Sequence, residues 1–276
     1  MVGKIRFPMT FNDNIALKRI DTGEYHLRIH DKYWIVAGPN GGYLAALLAN
    51  AGDLHVNSPN RQLRSLTTHF LTPPKVGEAT ITVSTERSGR LVDFLRLELR
   101  QNSKTILLGT GVWGLSGDSP HSPQLAMPDV PEPLECSPMN RLTEQPKRLH
   151  EQWEIRSAHG NGTAKLIEDL GPEPDLSWWI RPVQLTTPNA PLVVAISDAL
   201  PPPIFVTSAG FRLVPTVDLT VHLRADLKTI EWRTDSWVLA RFVTRHIANG
   251  FLEEDGQMWL SDGTLIGMSR QLSIAK

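Results

Sequence analysis

The chain carries one pattern twice, in the same order and at similar spacing. Gly38-Pro39-Asn40-Gly41-Gly42 opens an apolar run from Tyr43 to Ala51, and Thr187-Pro188-Asn189-Ala190-Pro191 opens a second from Leu192 to Leu200. Leu66-Thr67-Thr68-His69-Phe70-Leu71 follows the first, and Leu219-Thr220-Val221-His222-Leu223-Arg224 follows the second. Each half closes on a strand-like run, Thr105 to Gly109 and Thr264 to Gly267. A period near half the chain implies two copies of one fold unit and not a solenoid, whose period is roughly 20–50 residues.

The copies differ in chemistry. Nine residues after the shared Asn, the second half has Asp198 where the first has Ala49. Thr216 stands opposite Leu63, and Gln271 opposite Trp113. A carboxylate, a hydroxyl and an amide in one copy face three apolar residues in the other. A duplicated scaffold with a single working site has this form.

A length of 276 residues suits two domains of ordinary size. The reading sets an N-terminal unit at 1–117, a Pro-rich linker at 118–147 and a C-terminal unit at 148–276. Prolines at 120, 123, 128, 131, 133, 138 and 146 deny the linker a helix or a continuous ladder, so it is expected to lie extended over the surface. In the first unit, Ile15–Ile20 and Glu24–Ile29 flank Asp21-Thr22-Gly23 as a hairpin. The helix from about Tyr43 to Gly52 is apolar nearly all round, hence buried on every side. Extended runs follow near 64–72, 78–88, 91–102 and 104–115. The second unit repeats the plan: strands at Glu151–Arg156 and Leu176–Pro182, a helix near 189–200, then runs near 213–225, 234–247, 249–260 and 264–274. A sheet curled around one central helix satisfies that order twice.

The order and its motifs resemble the hotdog fold. More narrowly, the chain is similar to the double-hotdog acyl-CoA thioesterases of the thioesterase II type. In the first half the resemblance rests on Asn40-Gly41-Gly42-Tyr43 and on Phe70-Leu71-Thr72-Pro73; in the second it rests on Ala195–Asp198, Pro215–Asp218 and Asp262–Gln271. Tyr43 stands where Gln is more usual and Thr72 where a basic residue often precedes the proline, differences that bear on substrate more than on fold. The resemblance implies an α+β tandem hotdog with two antiparallel sheets, each wrapped around a central helix. It also implies that Asp198, Thr216 and Gln271 hold the hydrolytic water.

Thioester hydrolysis needs an aimed water, a base for its proton and donors for the oxyanion. Asp198, late on an apolar helix, is costly unless bonded or functional, and its burial should raise its pKa into a base's working range. The competing reading makes it a helix end before Pro201, with Thr216 and Gln271 on wet faces. Asn40, Gly41, Gly42 and Tyr43 are the substrate-binding candidates, the glycine amides being free to meet a thioester carbonyl at a positive helix end.

His69 and His222 occupy matched places and suggest structure; no Cys or His spacing fits a metal, and no cofactor is implied. A nucleophile elbow of the GxSxG kind is missing, which argues against an α/β-hydrolase. The net charge of −1 excludes a basic nucleic-acid footprint, and no apolar run spans a membrane. The single cysteine, Cys136, and the lack of an apolar leader in Met1–Arg19 lead to an expected cytoplasmic setting. The expected partner is an acyl-CoA or acyl-carrier thioester, with self-association into a closed homo-oligomer compatible with the fold. Two alternatives stand beside the hydrolase. One is a hydratase of the same fold, which would need a His paired with a carboxylate near the helix. The other is a non-catalytic acyl-binding or assembly module.

Overall fold

A computed structural model of the chain describes residues 8–35, 38–118, 123–139, 148–159, 173–206 and 213–275. After a one-turn helix α1 (Phe11–Asn14), the first half contains β1 (Lys18–Asp21), β2 (Glu24–Ile29), α2 (Gly41–Val56), β3 (Arg61–Phe70), β4 (Gly77–Ser88), β5 (Val92–Gln101) and β6 (Lys104–Leu115). The second half contains β7 (Trp153–Ser157), β8 (Asp175–Pro182), α3 (Ala190–Ile196), β9 (Thr216–Leu223), β10 (Val238–Ala248), β11 (Phe251–Leu260) and β12 (Leu265–Ile274). Among the described residues the strands form one 12-stranded sheet in the order β1-β2-β4-β5-β6-β3-β9-β12-β11-β10-β8-β7. The second half of that order is the first half reversed. Each pairing within it is antiparallel.

The reversal marks a local twofold axis at the β3–β9 junction. Thr67 pairs with Thr220, its own counterpart in the repeat, and their hydroxyls meet at 2.9 Å. On either side Ser65 opposes His222 and His69 opposes Asp218. His69 and His222 are exposed there, so neither is a core residue. Joining two curled sheets at one strand each removes two open edges and sets α2 and α3 side by side inside the curl.

Helix α2 is buried on all faces from Gly42 to Ala49, as its even apolar distribution there requires, and comes to the surface in its last turn at Leu54. Asn40 caps it, accepting from the Tyr43 amide at 3.0 Å. Helix α3 is shorter than its apolar run suggests and ends at Ile196. Pro201 and Pro202 have no N–H to give to the carbonyls of Ser197 and Asp198, so Asp198 to Leu200 turn away from the helix.

Residues 123–139 cross the outer face of the second-half sheet. The Trp179 indole donates to Pro131 O at 2.9 Å, Met139 N donates to Ile155 O, and Cys136 packs in a small cluster with Trp179, Trp237 and Trp259. This part of the Pro-rich stretch is pinned by backbone and indole bonds; 119–122 and 140–147 lie outside the described residues.

In the first half, the space matching the second half's polar trio is filled. Trp113 is fully buried, pairs with Leu63 across β3–β6, and donates its indole N–H to Asp53 on α2 at 2.6 Å. The ring lies so close to α2 that a methyl carbon on Gly52 would sit 2.0 Å from its Cζ2. Helix propensity alone favours Gly52→Ala by about 1 kcal/mol. Overpacking against a buried, rigid indole outweighs it, so Gly52→Ala is expected to cost about 2 kcal/mol or more. A urea melt checks the sign: a midpoint above that of the parent protein would show that the ring has room to move.

Candidate active site

Asp198 sits in the turn after α3, and its side chain crosses to the other half of the chain. Its Oδ2 accepts from the Gly42 amide at 2.8 Å and from Asn40 Nδ2 at 2.9 Å. Asn40 Nδ2 also donates to the Asp198 backbone carbonyl at 2.5 Å. One asparagine thus caps α2 with its oxygen and grips Asp198 with its nitrogen. The approach depends on the glycine pair: a Cβ on Gly41 would lie 2.9 Å from Asp198 Oδ2, and one on Gly42 would lie 2.6 Å from the Ala195 carbonyl.

Burial pushes the Asp198 carboxyl up to about 6, and the hydrogen bonds from Gly42, Gly41 and Asn40 pull it down without cancelling that rise. Its neighbours Ser197, Ala199 and Leu200 are buried and Asp198 as a whole residue is half-buried, its carboxyl turned onto Asn40 and Gly42. A carboxylate that titrates near neutrality has the pKa of a general base.

Thr216 opens β9, half-buried, and its hydroxyl donates to Gln271 Oε1 on β12 at 3.2 Å. Gln271 is buried. The structure therefore joins Thr216 to Gln271 directly. Among the described residues neither makes a hydrogen bond to Asp198. The connection runs through Glu254 on β11, the register partner of Gln271. Glu254 is 4 % exposed, and burial, then the charge of Asp198, push its carboxyl well above the usual range, with a hydrogen bond from Gln271 acting the other way. The sequence reading missed Glu254. Its signal was present in β11, where Leu252, Glu254, Gly256 and Met258 share the inward face and only one of them is charged.

Two expectations need correction. Tyr43 is a core residue and not a substrate contact: it is fully buried, stacks on Tyr33 at 4.4 Å, accepts from His30 N and donates to Asn14 O. The Gly42 amide is not free for a ligand carbonyl, because Asp198 takes it. Ala49, Leu63 and Trp113 are fully buried in the main core. Among the described residues no cluster of three or more His, Cys, Asp or Glu could hold a metal, and no helix is long and apolar enough to cross a membrane.

Residues 30–114 match the family model of the acyl-CoA thioesterase N-terminal domain, and residues 133–275 match that of the C-terminal domain. An uncharacterized protein of Mycobacterium tuberculosis is 27% identical over 96% of this chain and 97% of its own length. Among solved structures, a hot dog fold protein of unknown function from Alicyclobacillus acidocaldarius superposes with a TM-score of 0.86 at 24% identity, covering 96% of this chain and 97% of that one. An acyl-CoA thioesterase II from Mycobacterium marinum gives 0.75 at 18% identity, with 97% of each chain covered.

The raised carboxyl of Asp198 has a consequence for stability. Its folded pKa, about 6, lies above the unfolded value of about 3.9. The neutral form is therefore favoured by folding, and stability is lost as pH rises from the unfolded value through the folded one. Asp198→Asn cannot ionise. It is expected to melt above the parent near pH 8 and to lose that advantage as pH approaches about 4. Paired thermal melts across that range check it; a constant difference would mean Asp198 titrates normally in the fold.

Proposed function

The chain belongs to the acyl-CoA thioesterase family, and from that premise we propose that it hydrolyses an acyl-CoA thioester to free acid and CoA, using a water held by Asp198, Thr216 and Gln271. The observation that carries the reading is the Asp198 carboxyl: buried, pushed up to about 6, and fixed by the N-terminus of α2 from the opposite half.

In this reading ionised Asp198 takes a proton from the water as its oxygen bonds to the thioester carbon. The tetrahedral intermediate collapses with cleavage of the C–S bond, and the proton leaves with the thiol. The positive end of α2 offsets the negative charge of Asp198 and of the developing oxyanion together. Gln271, braced by Thr216 through its Oε1 and by Glu254 through one amide N–H, has its second N–H left to orient the water or the oxyanion. Asn40, Gly41 and Gly42 serve the substrate indirectly, by holding the base.

Asp198→Asn keeps the shape and removes the base, so turnover should fall at least ~100-fold. Thr216→Val and Gln271→Leu should each cost less, and the losses should not add, because the three act as one unit. In the parent, kcat/KM should fall as pH drops through about 6, since protonated Asp198 cannot accept a proton. Steady-state hydrolysis of acetyl-, octanoyl- and palmitoyl-CoA by folded variants checks all three. Near-normal turnover by Asp198→Asn would return the chain to the alternative, an acyl-thioester-binding module without chemistry.

A further inference from the structure

We infer that Glu254 is a positioning residue of this centre, its carboxyl fixing which way the Gln271 amide faces. The inference rests on the hydrolytic reading of Asp198, Thr216 and Gln271 and deepens it.

Thr216 alone does not fix that direction. Its hydroxyl can donate or accept, so it tolerates either orientation of the Gln271 amide. The observed orientation places Gln271 Oε1 toward Thr216 at 3.2 Å and leaves the amide nitrogen for the other side. On that side, across the β11–β12 ladder, stands Glu254, directly opposite Gln271 in register. Glu254 Oε2 has no partner among the described residues, so the oxygen that receives the Gln271 hydrogen bond is Oε1; with any proton carried on Oε2, Oε1 accepts from the amide nitrogen and repels the amide oxygen. Glu254 therefore breaks the tie that Thr216 leaves open.

A purely structural glutamate would have both oxygens satisfied. Here Glu254 Oε2 is buried without a hydrogen-bond partner among the described residues. Leaving such an atom orphaned opposes folding unless something else is gained. The neighbour across β10 is Thr244, whose hydroxyl is equally buried and unpartnered. The orphaned pair borders the row that ends in Gln271, and the unpaired oxygen is available to a water.

The charge state follows from the surroundings. Burial, the negative charge of Asp198 at the end of α3, and Asp255 on its own strand all oppose ionisation of Glu254. Asp255 points to the opposite face, where Arg245 and Arg270 pair with it. Thr244 and Gln271, the neighbours on β10 and β12, do not titrate. The Glu254 carboxyl is thus held well above its usual range, while that of Asp198 is raised to about 6. When Glu254 does ionise as pH rises, a second negative charge appears beside Asp198, where the oxyanion must form. Turnover should then decline.

The test is the pH profile of kcat and KM for the parent, Glu254→Gln, Glu254→Leu and Asp198→Asn, with octanoyl-CoA as probe and each variant shown folded by circular dichroism. Glu254→Leu should lower kcat about 10- to 100-fold, the cost of a misaimed group, while KM stays within about twofold, because ground-state binding is untouched. Glu254→Gln keeps an acceptor for Gln271 and cannot ionise. It should recover most of that loss near pH 7 and lack the alkaline decline of the parent. An alkaline limb in Glu254→Gln identical to the parent's, or a Glu254→Leu with parental kcat, overturns the inference. Should Glu254→Leu fail to fold, the Glu254→Gln profile decides alone. Active Asp198→Asn would sink the hydrolytic reading itself. Dead Asp198→Asn beside parental Glu254 variants would sink only the role of Glu254.

Discussion

The carboxylate of Asp198 against the N-terminus of α2 is the contact on which the candidate site depends, because it is where one half of the chain completes the other. A rise from the model-compound value of 3.8 to about 6 corresponds to about 3 kcal/mol against the ionised form. The donors from Gly42, Gly41 and Asn40 reduce the cost of burial without removing it. The same protein holds a useful contrast. Asp13 closes a capping box with Thr10 on α1, is exposed, and has its carboxyl held below the usual value by those Thr10 bonds. A carboxylate retained to cap a helix is stabilised in its charged form. Asp198 is destabilised in that form, which is hard to reconcile with a role confined to ending α3.

The twofold axis between Thr67 and Thr220 would allow two such arrangements, and among the described residues packing leaves one. Symmetry brings α2 and α3 together head to tail, and in principle each could reach the other's N-terminus. In the first half Ala49 replaces the carboxylate, and Leu63 with Trp113 fills the volume. The indole occupies space that the second half leaves to small and polar groups. Reinstating chemistry there would require removing Trp113, and a buried ring of that size leaves a cavity costing about 3–5 kcal/mol. Loss of the second centre is locked in by packing.

Much of the architecture was legible because it rests on short-range periodicity. The even apolar distribution of Tyr43–Ala51 gave a buried helix, and the matched motifs gave two copies of one unit; that the equivalent strands β3 and β9 pair at the junction is visible only in the structure. The helix after Asn189 was read too long because apolar run length was taken for helix length, although Pro201 and Pro202 withhold the N–H groups that would extend it. Tyr43 was read as a ligand contact from its place beside Gly41 and Gly42; its ring direction, toward Tyr33 and Asn14, depends on α1 and β2 folding over α2. Glu254 is the clearest limit. Its inward position was visible in the alternation of β11, but its meaning requires the β11–β12 register that sets it opposite Gln271, and register is a tertiary property.

Burial by itself does not make a carboxyl reactive, and the three carboxyls among the described residues whose pKa burial raises separate the requirements. Asp53 is pushed up to about 6, as Asp198 is, with burial again the leading cause. Its oxygen, however, is spent on the Trp113 indole at 2.6 Å, and the ring fills the volume a substrate would need. Glu254 has an oxygen to spare, but burial and the charge of Asp198 together hold its carboxyl well above the usual range. Of the three, Asp198 alone combines a pKa near the operating range with donors that fix one oxygen from the far half. The common physical cause, desolvation, is tuned to three outcomes by what stands next to each group: an indole, a second carboxyl, or the end of a helix.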